Sequence, residues 1–328
     1  MSKRIICLAL SAVLFALSVS AQAQQAGKIP RIGYLAASSL SGQSARIEAF
    51  RQGLRELGYV EGKNIVIEYR SAEGKLDRLP ALAAELVRLK VDIIVTGGPI
   101  PTRVAKGATS TIPIVMTQDV DPVGTGLVAS LARPGGNITG LSTLAPELSG
   151  KQLELLKETI PKLSRVAVFG TSTRAGNAQA LEEIELAAKA FGVKLQYLDV
   201  LGPKDIETAF RAASKGRADA VLMMVAGGIA NSLRTQIADL AVKSRLPAIY
   251  DRSEFVDDGG LMSYGVNRSD LARRAATYVD KIMKGRTPAD LPVEQPMRFE
   301  FVINLNAAKQ IGLTIPPNVL VRANRVIR

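Results

Sequence analysis

The sequence predicts an α/β protein built from two doubly wound parallel-sheet lobes. Three observations lead there. Short continuous apolar runs alternate with amphipathic helical stretches, the signature of buried parallel strands with helices on both faces. The pattern restarts near residue 165. The first strand and the glycine ending the first helix are 27 residues apart in both halves, at 31 and 58 and again at 165 and 192. That is a duplicated lobe, not a short-period solenoid.

In the first half, Arg31–Ala37 reads as a strand. Ser41–Leu57 is a helix with Ile47, Phe50, Leu54 and Leu57 at helical spacing and Gly58 as its stop. Strands are expected over 64–69, 92–96 and 112–117, with helices over 76–89 and from Pro99 to about Ala108. The second half repeats this order: strand 165–170, helix 175–191 closed by Gly192, strand 193–200, helix 204–214, strand 219–225, helix 229–244 and strand 246–250. Val91-Asp-Ile-Ile-Val-Thr-Gly-Gly98 parallels the stretch from Ala218 to Gly228, and Ile112-Pro-Ile-Val-Met parallels Leu246-Pro-Ala-Ile-Tyr.

Composition narrows the chemistry. The 328 residues carry 47% hydrophobic and 22% charged residues, a globular balance with room for about two domains. There is no histidine and a single cysteine, Cys7. Histidine-based nucleophile activation, imidazole acid–base catalysis and histidine metal ligation are excluded. Paired acids such as Asp257-Asp258 are sequence neighbours and point apart on regular elements, so no catalytic dyad emerges. No catalytic residue, metal site or cofactor is expected. The net charge of +12 is spread along the chain without a run of five. It fits an exported or anion-handling protein better than a nucleic-acid binder.

Lys3 and Arg4, the apolar stretch 5–19 and Ala21-Gln-Ala23 form a signal-peptide pattern, with cleavage expected after Ala23. Cleavage removes Cys7, and no later segment is apolar enough to span a bilayer. A periplasmic protein without stable membrane insertion is expected.

In sheets of this kind a ligand sits beyond the carboxyl ends of the strands, and two facing lobes make a cleft. The chain carries Phe50-Arg-Gln-Gly-Leu-Arg-Glu-Leu-Gly-Tyr59, Asp121-Pro-Val-Gly124, Leu131-Ala-Arg-Pro-Gly-Gly-Asn-Ile-Thr-Gly140, Gly259-Gly-Leu-Met-Ser-Tyr-Gly265, Pro292-Val-Glu-Gln-Pro296 and Ala307-Ala-Lys-Gln-Ile-Gly-Leu-Thr-Ile-Pro316. In this order it resembles the periplasmic solute-binding proteins of ABC importers, type I fold, in the subfamily with tryptophan- and other aromatic-amino-acid-binding members. The resemblance covers residues 30–328. It implies a monomer that captures a small solute by hinge closure and delivers it to a membrane permease, with no nucleic-acid partner. It also implies three crossings between the lobes, placed near Leu144, Leu261 and Arg286. The first lobe is then 28–144 plus 262–286, and the second 145–261 plus 287–328.

The candidate contacts lie at strand ends. Gly97, Gly98 and Pro99 open a helix and either offer backbone N–H groups to a carboxylate or form an ordinary tight turn. Ser38 and Ser39 end the first strand, as ligand contacts or as helix-entry residues. Thr171, with Ser172 and Thr173, holds the matching place in the second lobe, where many family members have an Asn-Pro-like pair. Ala226 ends the matching inner strand there. Gln118, Asp119, Asp121 and Asp251 sit at or just past strand ends. Asp121 or Asp251 is expected to take an ammonium group, although Asp121 precedes Pro122 and is also a turn former. Tyr264 either covers a flat ligand or lines the hinge. Tyr34, Phe169 and Tyr250 are expected in the core. A ligand-sensing domain for a signalling partner and an enzyme on the same fold remain the competing readings. The solute itself is not named by the sequence.

Overall fold

The computed structural model describes residues 29–143, 147–173, 176–225 and 227–328. The first sheet contains β1 (Arg31–Ala36), β2 (Val66–Ser71), β3 (Ile93–Thr96), β4 (Ile114–Met116) and β5 (Ile138–Gly140) in the order β2-β1-β3-β4-β5, all parallel. The second contains β6 (Arg165–Gly170), β7 (Lys194–Asp199), β8 (Ala220–Met224), β9 (Ala248–Tyr250), β10 (Met262–Val266), β11 (Phe299–Asn304) and β12 (Arg325–Ile327). Its order is β12-β11-β10-β9-β8-β6-β7, parallel except where β11 runs against β10. The runs β2-β1-β3-β4 and β7-β6-β8-β9 have the same order, so the sequence duplication is a duplication of topology.

Alternate residues on each strand feed opposite cores, which is why the strands read as continuous apolar runs. In the first lobe, Ile32, Tyr34, Ile93 and Val95 pack under α1 (Ser44–Glu56) and α10 (Arg268–Met283). Leu35, Ile94, Ile114 and Met116 pack under α2 (Leu79–Arg88) and α3 (Pro99–Ala108). In the second, Val166 and Val168 meet α4 (Glu147–Thr159) and α5 (Asn177–Phe191), while Ala167 and Phe169 meet α6 (Asp205–Lys215) and the helices after β8. Those are α7 (Gly227–Ser232) and α8 (Arg234–Lys243), where the sequence pattern suggests one continuous helix. Tyr34, Phe169 and Tyr250 are buried in these cores.

The crossings differ from expectation. The one near Leu144 falls outside the described residues. Strand β10 continues the second sheet, with Met262 opposite Ile249 and Ser263 opposite Tyr250. The chain therefore leaves that lobe near Asn267, not Leu261. Its return comes after Glu294, not near Arg286. The Thr139 hydroxyl still donates to the Leu291 carbonyl (2.6 Å) and the Ser142 N–H to that of Glu294 (2.8 Å). The Pro292–Pro296 segment thus runs beside β5 before the chain enters β11. Residues 262–266 belong with the second lobe and 287–294 with the first.

The duplicated Val-Asp and Ala-Asp pairs have a structural reason. Asp92 Oδ2 accepts the Arg31 N–H at 2.8 Å. Asp219 Oδ2 accepts the N–H of Ser164 (2.8 Å), the N–H of Arg165 (2.9 Å) and the Ser164 hydroxyl (2.9 Å). Each aspartate ties the start of an inner strand to the start of its neighbour. Burial alone would push the Asp219 carboxyl up, but these donors hold it below its ordinary value. The charged form is favoured on folding, so its contribution is present above the ordinary carboxylate value and lost as pH falls through the depressed one. Asp219→Ala is expected to cost about 1–2 kcal/mol at pH 7, for loss of hydrogen bonds to a charged acceptor. Urea titrations should show the gap between parent and variant narrowing below about pH 4.

Helix α1 packs against α10 at Gly53. A Cβ there would stand 2.3 Å from the Arg273 carbonyl oxygen and 2.9 Å from the Ala276 Cβ. Gly53→Ala would raise helix propensity by about 1 kcal/mol in an isolated helix. Here it must push two helices apart, and overpacking of that kind costs about 1–3 kcal/mol. Gly107 in α3 has open space at its Cβ position. Denaturation should find Gly53→Ala destabilised and Gly107→Ala level with the parent or above it.

Candidate functional site

The C-terminal ends of the two sheets face one another across a cleft of about 700 Å³ counting its open mouth. Val120 and Thr143 line it from the first lobe. Ser149 and Gln152 come from α4, Met223, Met224 and Gly265 from the strands of the second lobe, and Asp251 and Arg268 from the ends beside them. Gln152 is buried and donates through Nε2 to the Tyr264 carbonyl at 2.7 Å, so α4 is pinned to β10 at the cleft wall.

A charge cluster stands where the lobes meet. Arg252 Nε donates to Asp251 Oδ1 at 3.0 Å, and Arg268 Nη2 lies 3.4 Å from Asp251 Oδ2. Arg46, on α1 of the first lobe, reaches Glu254 at 3.0 Å, at the start of α9 (Glu254–Asp257) in the second. The Arg252 side chain is 2% exposed and lies over the Phe255 ring at 5.1 Å. These five groups are three guanidiniums and two carboxylates. Burial would raise Glu254, but Arg268, Arg46 and Arg252 hold its carboxyl below the ordinary value. Burial, then the charge of Arg252, pushes Arg268 down to about 9, with Arg46 adding to the push. An arginine keeps its proton in practice. The depression therefore marks a cation in a buried setting that it shares with two other guanidiniums.

The first lobe carries buried polar groups near its own strand ends. Gln43, 4% exposed, donates through Nε2 to the Ser38 hydroxyl (2.9 Å) and carbonyl (3.2 Å). Its Oε1 is buried without a hydrogen-bond partner, 3.0 Å from where a Cβ on Gly97 would stand. Gln118 Oε1 is buried and unpartnered as well. Asp119, 1% exposed, accepts the Asp121 N–H at Oδ1 (3.2 Å), while Oδ2 has no hydrogen-bond partner. Burial pushes the Asp119 carboxyl up to about 6, against the Asp121 N–H and the charge of Arg103. Its backbone carbonyl accepts the hydroxyl of the cleft-lining Thr143 at 3.0 Å.

Among the residues singled out from the sequence, Asp251 lines this cleft, paired to two arginines. The Asp121 carboxylate lies against Gly124 and accepts its N–H at 2.8 Å, so it serves its own turn. The Tyr264 ring packs on Phe299 and Phe301, at centroid distances of 6.0 and 6.3 Å, because residue 264 shares a face of β10 with core residue Met262. The half-buried ring thus lies against the second-lobe core. The Thr171 hydroxyl donates to the Val200 carbonyl (2.8 Å), and Ser172 is held by Asp199; both fix the end of β6 to that of β7. Ser39 Oγ accepts the Gly42 N–H (3.1 Å), a helix-entry contact. Gly98 adopts φ +140°, a backbone reserved for glycine, and Pro99 opens α3. Ala226 lies outside the described residues. Among the described residues no cluster of histidine, cysteine, aspartate or glutamate could hold a metal, and no helix is long and apolar enough to cross a membrane.

Sequence reasoning missed Gln43, Arg46, Thr143, Gln152, Arg252, Glu254 and Arg268. The run Asp251-Arg-Ser-Glu254 straight after a buried strand was the available signal.

A tyrosine-binding protein of Clostridioides difficile (strain R20291) is 26% identical over 266 residues, covering 81% of this chain and 76% of the relative. A Streptococcus pneumoniae structure described as an ABC domain in complex with L-Trp superposes with a TM-score of 0.83 at 26% identity, covering 92% of this chain and all of that one. A conserved domain protein from Vibrio cholerae O1 gives 0.82 at 30% identity, over 91% of this chain and all of that one. The family model described as ABC transporter substrate binding protein matches residues 35–327. Duplicated sheets, a cleft between their carboxyl ends and this match agree: the chain belongs to the ABC transporter substrate-binding proteins, with the type I periplasmic-binding fold.

Proposed function

We propose that the protein is the extracytoplasmic solute-binding component of an ABC importer. It captures a carboxylate-bearing solute, an amino acid or aromatic acid, in the inter-lobe cleft and presents the closed complex to a membrane permease. The observation that carries this reading is the cleft itself. It is walled from both lobes and has at its junction a cluster of charged side chains, Arg46, Asp251, Arg252, Glu254 and Arg268. The tyrosine-binding and L-Trp-bound relatives support an amino-acid ligand. The fold positions the two walls on separate sheets joined by crossing segments, so a ligand touching both walls stabilises the closed arrangement and shifts an open–closed equilibrium. The Arg46–Glu254 pair is a lobe-to-lobe contact that such motion would remake.

Thermal-shift screening against amino acids, aromatic acids, short carboxylates and sugars tests the ligand class. A cognate ligand at 100 times its dissociation constant should add about 2.7 kcal/mol of stability. X-ray scattering should then give a smaller radius of gyration at saturation. An unchanged radius refutes hinge closure, and stabilisation by sugars alone refutes the carboxylate class.

Residues 1–23 are proposed as a cleaved signal peptide. N-terminal sequencing of the exported protein should begin near Gln24, and an intact Met1 or Ser2 would overturn that assignment.

A further inference from the structure

We infer that Arg46 and Glu254 are positioning residues for solute capture: their ion pair latches the two lobes together, and it sets the affinity of the cleft without touching what the cleft holds. This rests on the hinge-closure reading above and names the residues that tune it.

The two residues are 208 positions apart and belong to different lobes, yet Arg46 Nη2 donates to Glu254 Oε1 at 3.0 Å. Their side chains are 14% and 32% exposed. Both lie outside the lining of the cleft. Burial would raise the Glu254 carboxyl, but Arg268, Arg46 and Arg252 hold it below its ordinary value, so it is ionised at neutral pH. A pair shielded in this way is screened by salt less than a surface one.

Each partner stands on a support fixed to its own lobe. Arg46 lies in the first turn of α1, whose Ile47, Phe50 and Leu54 are buried in one core with Leu271 and Ala275 of α10. Glu56 at the far end of α1 is tied to Arg273 of α10 at 2.7 Å. Glu254 opens α9. There Phe255 is buried and stacks on the Tyr250 ring of β9, with centroids 4.4 Å apart and planes at 3°. Asp257 accepts from Arg325 of β12 at 2.7 Å. Asp258 accepts from Arg234 (2.7 Å) and the Thr235 hydroxyl (2.8 Å), both on α8. Asp257 and Asp258 thus bind α9 into the second lobe, while Glu254 reaches across to the first. The Arg46–Glu254 distance therefore follows the lobes and not two mobile tips. An opening that parts α1 from α9 breaks the pair, and a solute that draws the lobes together works in the same direction as the pair does. Apparent affinity scales with the fraction of protein already in the binding-competent arrangement.

X-ray scattering and calorimetric titration with L-tyrosine and L-tryptophan test the latch in the parent, Arg46→Gln, Glu254→Gln and the double variant. Without ligand, each variant should have a larger radius of gyration than the parent, and at saturation all should reach the parent's value. Affinity should fall about fivefold, the upper end for a partly exposed ion pair. The factor should be the same for both amino acids, because the pair does not touch the solute. The double variant should match Arg46→Gln, since the pair is lost only once. Arg46→Lys should recover part of the loss. Arg46→Gln carries the decision, because Glu254 then keeps the nearby charges of Arg252 and Arg268. A merely structural role would lower the unfolding midpoint and leave the ligand-free radius alone. A parent-like ligand-free radius in Arg46→Gln, additive losses in the double variant, or a factor that differs between the two amino acids overturns the latch while hinge closure stands. If the parent itself does not contract at saturation, the hinge-closure reading falls and the latch with it. If neither amino acid binds the parent, the ligand-free radii still decide.

Discussion

Burial of both faces of both sheets is the constraint from which the rest of the molecule follows. A parallel strand covered by helices on each side has no polar surface along its length. Ile32 to Ala36 and Val166 to Gly170 are buried throughout. Polar and charged groups can therefore emerge only where strands end. The N-terminal ends are closed by Asp92 and Asp219, which spend their carboxylates on neighbouring strand starts. That leaves the C-terminal ends to carry chemistry, and the facing of two such ends creates the cleft. The site is a consequence of the packing, not an addition to it.

The same constraint explains what the sequence disclosed. Strand and helix identities were legible because apolar runs and amphipathic stretches alternate without interruption. The aspartates of the duplicated motif were visible as a repeat before their role was known. The late strands were not: β11 and β12 follow loops, and β11 runs antiparallel, so no βαβ rhythm announces them. The crossings shifted for a related reason. The Gly260–Ser263 segment reads as a returning strand, but whether it pairs with the first sheet or the second is a long-range choice absent from local pattern.

The site was less legible than the fold. Strand-end position drew notice to Gln118, Asp119 and Asp251, yet it could not say where each side chain spends its hydrogen bonds. Asp121 and Asp251 looked equivalent as carboxylates past strand ends. One closes its own turn on Gly124, and the other is held by Arg252 and Arg268. Tyr264 looked like a ligand cover because aromatic rings near hinges often are. The parity of β10 sets its ring against the core, since 262 and 264 share the face packed under α4 and α5. Arg46 and Glu254 lie 208 residues apart, and no spacing rule brings them to 3.0 Å.

The charged groups gathered at the lobe junction carry a desolvation cost. Two unit charges 4 Å apart interact by about 4 kcal/mol at an effective dielectric of 20. At the junction, burial and then the charges of Arg252 and Arg46 push Arg268 down, while Asp251 and Glu254 oppose them. In the first lobe, Asp119 is buried with an oxygen that has no hydrogen-bond partner, and its raised pKa measures that penalty. The fold supplies two rigid walls. The strand ends of each lobe supply the polar groups that line the cleft.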